Sequence, residues 1–133
     1  MVLITGGAYQ GKLDYARKEY GITEEDVFDC REENQEALLP ALDFNRKVFT
    51  HMEGFVLACV KSGIEAQAYL EMNRDALAGK IIIADDVTQG VVPIDEQERA
   101  WREETGRCLT MLGLAADRVV RVFCGIPQIV KGE

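Results

Sequence analysis

Residues 2–13 read Val2-Leu3-Ile4-Thr5-Gly6-Gly7-Ala8-Tyr9-Gln10-Gly11-Lys12-Leu13. A short apolar run closes on Gly6-Gly7, and from Gly6 the spacing is glycine, four residues, Gly11-Lys12. The run reads as a strand, and residues 12 to 20 read as a helix stopped by Gly21. A loop of this spacing between a strand and a helix is the context of a phosphate-binding loop. Glycines let successive amides turn toward phosphate oxygens. The helix start adds its positive dipole end, and a lysine adds a mobile charge toward the β and γ phosphates. The expected phosphate-binding residues are therefore Gly6, Gly7, Ala8, Tyr9, Gln10, Gly11, Lys12 and Leu13. At the last of these the chemistry calls for a Ser or Thr hydroxyl on Mg²⁺, and Leu13 has no oxygen to give. That loss weighs more against phosphoryl transfer than against binding. A glycine-rich turn that binds nothing would share the pattern.

Outward from this loop, strands and helices alternate. Val27-Phe28 and Lys47 to Thr50 read as strands. Residues 32 to 39 read as a helix broken by Pro40. A helix or helical turn runs through Gly54 to Val60, and a longer helix from Ile64 to Leu77 ends at Gly79. Ile81-Ile82-Ile83-Ala84 is the clearest strand, its three β-branched residues suggesting a strand covered on both faces. A polar loop spans residues 85 to 93. Asp95 caps a helix to about Leu112, on which Trp101, Thr105, Cys108, Leu109 and Leu112 share a face. Val119 to Cys124 reads as a fifth strand, and Ile129-Val130 as a short edge strand after the Gly125-Ile126-Pro127 turn. Strands separated by helices imply parallel neighbours. The class is α/β, a P-loop NTPase-like three-layer sandwich with a mostly parallel sheet, in one domain over residues 1–133.

The 133 residues are enough for one core without staples, and the net charge of −8 speaks against nucleic acid as a partner. No apolar run approaches a membrane span, and the start lacks the pattern of a signal peptide. The expectation is a cytoplasmic protein with no membrane partner. Cys30, Cys59, Cys108 and Cys124 are scattered, which suits buried free thiols better than disulfides. One histidine and no cysteine cluster leave little for a zinc site.

The opening residues 2–12 resemble the adenosylcobinamide kinase / adenosylcobinamide-phosphate guanylyltransferase family of cobalamin biosynthesis. Residues 81–131 resemble that family's C-terminal half, with Gly90-Val91-Val92-Pro93, Trp101-Arg102-Glu103, Gly106-Arg107, Ala116-Asp117 and Gly125-Ile126-Pro127 in register. The chain departs from the family at Leu13, where members carry Ser. It is shorter than a typical member, mostly in the middle region. Residues 31 to 47 contain no counterpart of the family's guanylylated His, and Phe49-Thr50-His51 stands where the family's third strand ends in an acidic residue. Leu109-Thr110 replaces the family's Asn-Gln.

The resemblance implies a homo-oligomer that binds a nucleotide, ATP or GTP with Mg²⁺, and retains at most the kinase half-reaction on a cobinamide-like small molecule. The alternative is a catalytically inactive binding or regulatory homologue acting through a protein partner. A kinase of another small molecule on the same scaffold is equally open to the residues.

Asp85 and Asp86 follow the clearest strand, where the carboxyl ends of an open parallel sheet face the ligand crevice. Lys12 and Asp86 are the candidate catalytic residues and Asp85 the candidate metal ligand; an Asp pair capping the next turn is the plainer alternative. His51 could act as a nucleophile, but a lone imidazole without a basic neighbourhood reads better as a structural or surface residue. Asp29 and Arg31 end the second strand and could line the crevice too, but Asp29 reads better as a helix cap. Trp101 reads as a core or subunit-interface residue rather than a base-stacking platform.

Overall fold

The computed structural model describes residues 1–35, 40–88 and 95–132. Six strands form one sheet: β1 (Val2–Gly6), β2 (Val27–Asp29), β3 (Val48–Thr50), β4 (Ile81–Asp85), β5 (Arg118–Phe123) and β6 (Ile126–Lys131). Their order across the sheet is β2-β3-β4-β1-β5-β6, parallel except for the β5–β6 hairpin. The helices are α1 (Lys12–Tyr20), α2 (Met52–Lys61), α3 (Ala66–Met72), α4 (Arg74–Leu77) and α5 (Glu96–Ala115), with single 3₁₀ turns at Glu24–Asp26 and Glu32–Asn34.

The strand pleat sorts the core into two layers. Leu3, Phe49, Ile82 and Ala84 pack with Met52, Phe55, Leu70, Cys108 and Leu112 of the helices on one face. Their strand neighbours Ile4, Val48, Ile81 and Ile83 pack with Ala16 of α1 on the other. Helices therefore cover both faces, which is why the central strands read as unbroken apolar runs. The three-layer α/β class read from the sequence is the one observed.

The departures have local causes. The helix expected over residues 64–77 is two helices. Asn73 leaves helical geometry at φ −105°, ψ 19°, and its Nδ2 donates to Tyr69 O at 2.8 Å, so the side chain competes with the helix ladder. Of the helix expected over residues 32–39, the 3₁₀ turn Glu32–Asn34 is present and residues 36–39 lie outside the described residues. The motif Gly90-Val91-Val92-Pro93 lies outside them too. The last strand is longer than Ile129-Val130, because a two-residue turn at Cys124-Gly125, both at positive φ, starts the return at Ile126. Asp95 caps α5 as expected, its side chain accepting from the amides of Gln97 and Glu98. Cys30, Cys59 and Cys108 are buried free thiols, whereas Cys124, at the exposed hairpin turn, is not buried.

Two glycines are there because backbone passes close. A Cβ on Gly6, at φ 148°, would lie 2.4 Å from Val122 O. A Cβ on Gly54 would lie 2.6 Å from Arg31 Cα, so α2 can sit against the end of β2 only with glycine there.

Candidate functional site

The first loop leaves β1 at Gly6 and enters α1 at Lys12. It needs unusual backbone: Tyr9 and Gly11 have positive φ, 59° and 89°. Gln10 anchors the turn. Its Oε1 accepts from the Cys124 amide at 2.6 Å, and its carbonyl accepts from the Gly125 amide at 2.8 Å. The loop is thus tied to the β5–β6 hairpin, while Tyr9 beside it stays exposed.

Lys12 is buried, only 7 % exposed, although it carries a charge. Its Nζ donates to Gly7 O at 2.6 Å and lies 2.6 Å from Asp85 Oδ1. A buried ammonium needs a partner, and strand register supplies it. Gly6 of β1 stands opposite Asp85 of β4, so the loop after one strand meets the last residue of its neighbour.

Asp85 also touches a third element. Its amide donates to Glu53 Oε1 at 2.7 Å. Glu53 is buried on the first turn of α2, where Trp101 of α5 donates its indole N–H to Glu53 O at 2.8 Å. Burial pushes the Glu53 carboxyl above the usual carboxylate range, against the pull of the Asp85 amide bond. His51 immediately precedes α2 in the left-handed conformation, φ 56°, and its Nδ1 lies 3.4 Å from Glu53 Oε2. The ligand atoms of His51, Glu53 and Asp85 all lie within 4.8 Å of one another.

These groups border a cleft of about 390 Å³. Lys12, Leu13, Arg17, Arg31, His51 and Asp85 are among the residues that line it. Arg31 is held there by Asp29, whose Oδ2 lies 2.7 Å from Arg31 Nη2. Asp29 therefore orients an arginine, and its Oδ1 accepts from the Arg31 amide at 3.1 Å. Three basic side chains lining one hollow in a chain of net charge −8 suit an anion.

The structure separates the two aspartates that the sequence set together. Asp85 faces Lys12. Asp86 turns away: its Oδ1 accepts from Thr88 N at 3.0 Å and from Thr88 Oγ1 at 2.6 Å, and it lines a different hollow beside α5. The plainer reading of Asp86 as a turn cap describes its contacts, and it does not share the cleft with Lys12. His51, read as a structural or surface residue, lines the cleft. Trp101 is partly buried against the core and also fixes the start of α2.

Glu53 was not singled out in the sequence. The acidic residue sought at the end of β3 comes three residues after Thr50, at the second position of α2, and that offset was the available signal. Leu13 packs against the apolar layer around α1 while lining the cleft. A cation at this site would therefore take its protein ligands from the β3 and β4 side.

A family model described as cobinamide kinase / cobinamide phosphate guanyltransferase matches residues 41–130; the loop Gly6–Leu13 precedes the matched stretch. No curated protein matches the chain. No helix among the described residues is long and apolar enough to cross a membrane.

Proposed function

Because the chain belongs to the cobinamide kinase / cobinamide phosphate guanyltransferase family, we propose that it binds a nucleoside triphosphate, ATP or GTP, in the loop Gly6–Leu13 and retains the kinase half-reaction at most. The observation that carries this reading is the buried Lys12, held beside a glycine-rich turn at the mouth of a cleft that also contains Arg17 and Arg31.

In this reading the loop amides hold the phosphates and Lys12 offsets charge on the transferred group. The bond from the terminal phosphorus to its bridging oxygen breaks, that oxygen leaving on the nucleoside diphosphate, and a bond to the acceptor hydroxyl oxygen forms as its proton passes to solvent. That hydroxyl belongs to a cobinamide-like small molecule. Positioning and electrostatics supply most of such a rate enhancement. A bound divalent cation would neutralise phosphate charge, and Asp85, Glu53 and His51 are the residues that would hold it. The carboxylate role first assigned to Asp86 falls to Asp85 here, because Asp85 is the one that faces Lys12. Self-association belongs to the same reading, supported by the exposed Phe123, Ile126 and Val130 of the hairpin.

A second reading is a catalytically inactive binding or regulatory homologue. Leu13 favours it, because its side chain packs into the apolar layer and presents no hydroxyl to a cation. Titration of ATP and GTP with and without Mg²⁺, followed by cobinamide-dependent hydrolysis, separates the two. Turnover that is lost in Lys12→Ala and raised in Leu13→Ser supports the kinase. Binding without turnover in both the parent and Leu13→Ser supports the inactive homologue. No binding of either nucleotide rejects the kinase and leaves the inactive homologue acting through a protein partner.

A further inference from the structure

Lys12 Nζ sits 2.6 Å from Asp85 Oδ1. The carboxylate it faces belongs to a group of two carboxylates and an imidazole, with His51 and Glu53 at the start of α2 and Asp85 at the end of β4. Glu53 spends one oxygen on the Asp85 amide, and the other faces His51 Nδ1 at 3.4 Å. That spacing suits neighbouring ligands on one ion, which stand roughly 3 Å apart when the bonds to the metal are about 2.1 Å. The strained backbone of His51, φ 56° in a residue that is not glycine, is what turns its ring into the group.

Charge then dictates an exchange. An oxyanion in the loop competes with Asp85 for Lys12. When the lysine moves to it, Asp85 and Glu53 are left beside each other without a cation. A divalent ion restores the balance. The imidazole among the donors favours a first-row transition cation over Mg²⁺, which takes oxygen ligands.

We propose that His51, Glu53 and Asp85 form a site for a divalent transition cation such as Mn²⁺ or Co²⁺, which Lys12 closes with its own ammonium until an oxyanion in the phosphate loop draws the lysine away. The trigger rests on the phosphate-binding reading above; the ligand set does not. Oxyanion and cation then bind with positive coupling, each making room for the other.

The test is Mn²⁺ titration of the full chain, followed by the electron paramagnetic resonance signal of free Mn²⁺, with Mg²⁺ as competitor. Sulfate serves as the oxyanion because it chelates cations weakly. In the parent protein, sulfate tightens Mn²⁺ binding by about tenfold. Lys12→Met binds Mn²⁺ about tenfold more tightly than the parent without sulfate and gains nothing further from it. Lys12→Gln gives the same comparison if the methionine variant does not fold. His51→Ala reduces the preference for Mn²⁺ over Mg²⁺ by about tenfold. The proposal is overturned if neither lysine variant binds Mn²⁺ more tightly than the parent, or if His51→Ala leaves the Mn²⁺/Mg²⁺ preference unchanged. If sulfate has no effect while the lysine variants bind Mn²⁺ tightly, the phosphate-loop reading fails and the cation site stands.

Discussion

The side-chain oxygen of Gln10 accepts the amide of Cys124 at 2.6 Å, across 114 residues of sequence. This bond, with the Gly125 amide on Gln10 O, makes the β5–β6 hairpin a strut for the glycine-rich loop Gly6–Lys12. Gln10→Ala removes the side-chain half of the strut and leaves the backbone half. One such hydrogen bond contributes about 0.5–1.5 kcal/mol. If it serves to preorganise the loop, ATP or GTP binding weakens by roughly two- to tenfold, at little cost to Tm. Calorimetric titration of parent and variant measures this. Equal affinities would show that the backbone bond suffices.

Gly54 makes a different prediction, about stability. A methyl group there meets Arg31 Cα at 2.6 Å and Cys30 O at 3.1 Å, both parts of the backbone that follows β2. Neither can rotate away. Gly54→Ala therefore overpacks the α2–β2 contact and lowers stability by about 1–3 kcal/mol, even though alanine is the better helix former. Urea denaturation measures the loss. A gain in stability would mean that α2 can shift outward freely.

The buried carboxyl of Glu53 sets the sign of a pH effect. Burial raises its pKa above the ordinary 4.5 in the folded state. The folded protein thus holds this proton more tightly than the unfolded chain does. Between 4.5 and the raised value, the folded state binds more protons, so Glu53 makes stability fall as pH rises through that window. The penalty is fully present above the raised value and relieved on acidification. Glu53→Gln keeps an oxygen for the Asp85 amide and removes the titration. The parent therefore loses more stability than Glu53→Gln as the pH is raised from about 4.5 into the neutral range. Urea unfolding at a series of pH values checks this, and parallel curves would contradict it.

Thiol reactivity distinguishes Cys124 from the other cysteines. Burial pushes the Cys59 and Cys108 thiols up to about 12 and Cys30 higher still, while shielding all three. Cys124 is exposed on the hairpin turn. An alkylating reagent at mildly alkaline pH should label one cysteine per folded chain and four in urea. Mass spectrometry of peptides identifies the site. Rapid labelling of Cys59 or Cys108 in the native protein would mean that α2 and α5 separate easily.

The local grammar of the chain was enough for the strand–loop–helix unit at residues 2–20, the buried strand at Ile81–Ala84 and the capped helix after Asp95. Each is written in consecutive residues, as a glycine spacing, a β-branched run or a cap. The same grammar placed Lys12 at the end of a glycine-spaced loop between a strand and a helix. It could not choose between Asp85 and Asp86, because neighbours at a strand end point to opposite sides and only the packed sheet says which side holds the lysine. Nor could it find Glu53. That residue matters because β3 and β4 are adjacent in the sheet, so the first turn of the helix after one meets the last residue of the other. Long-range register and the burial of charge are properties of the assembled fold. They decided which of the acidic residues forms the site.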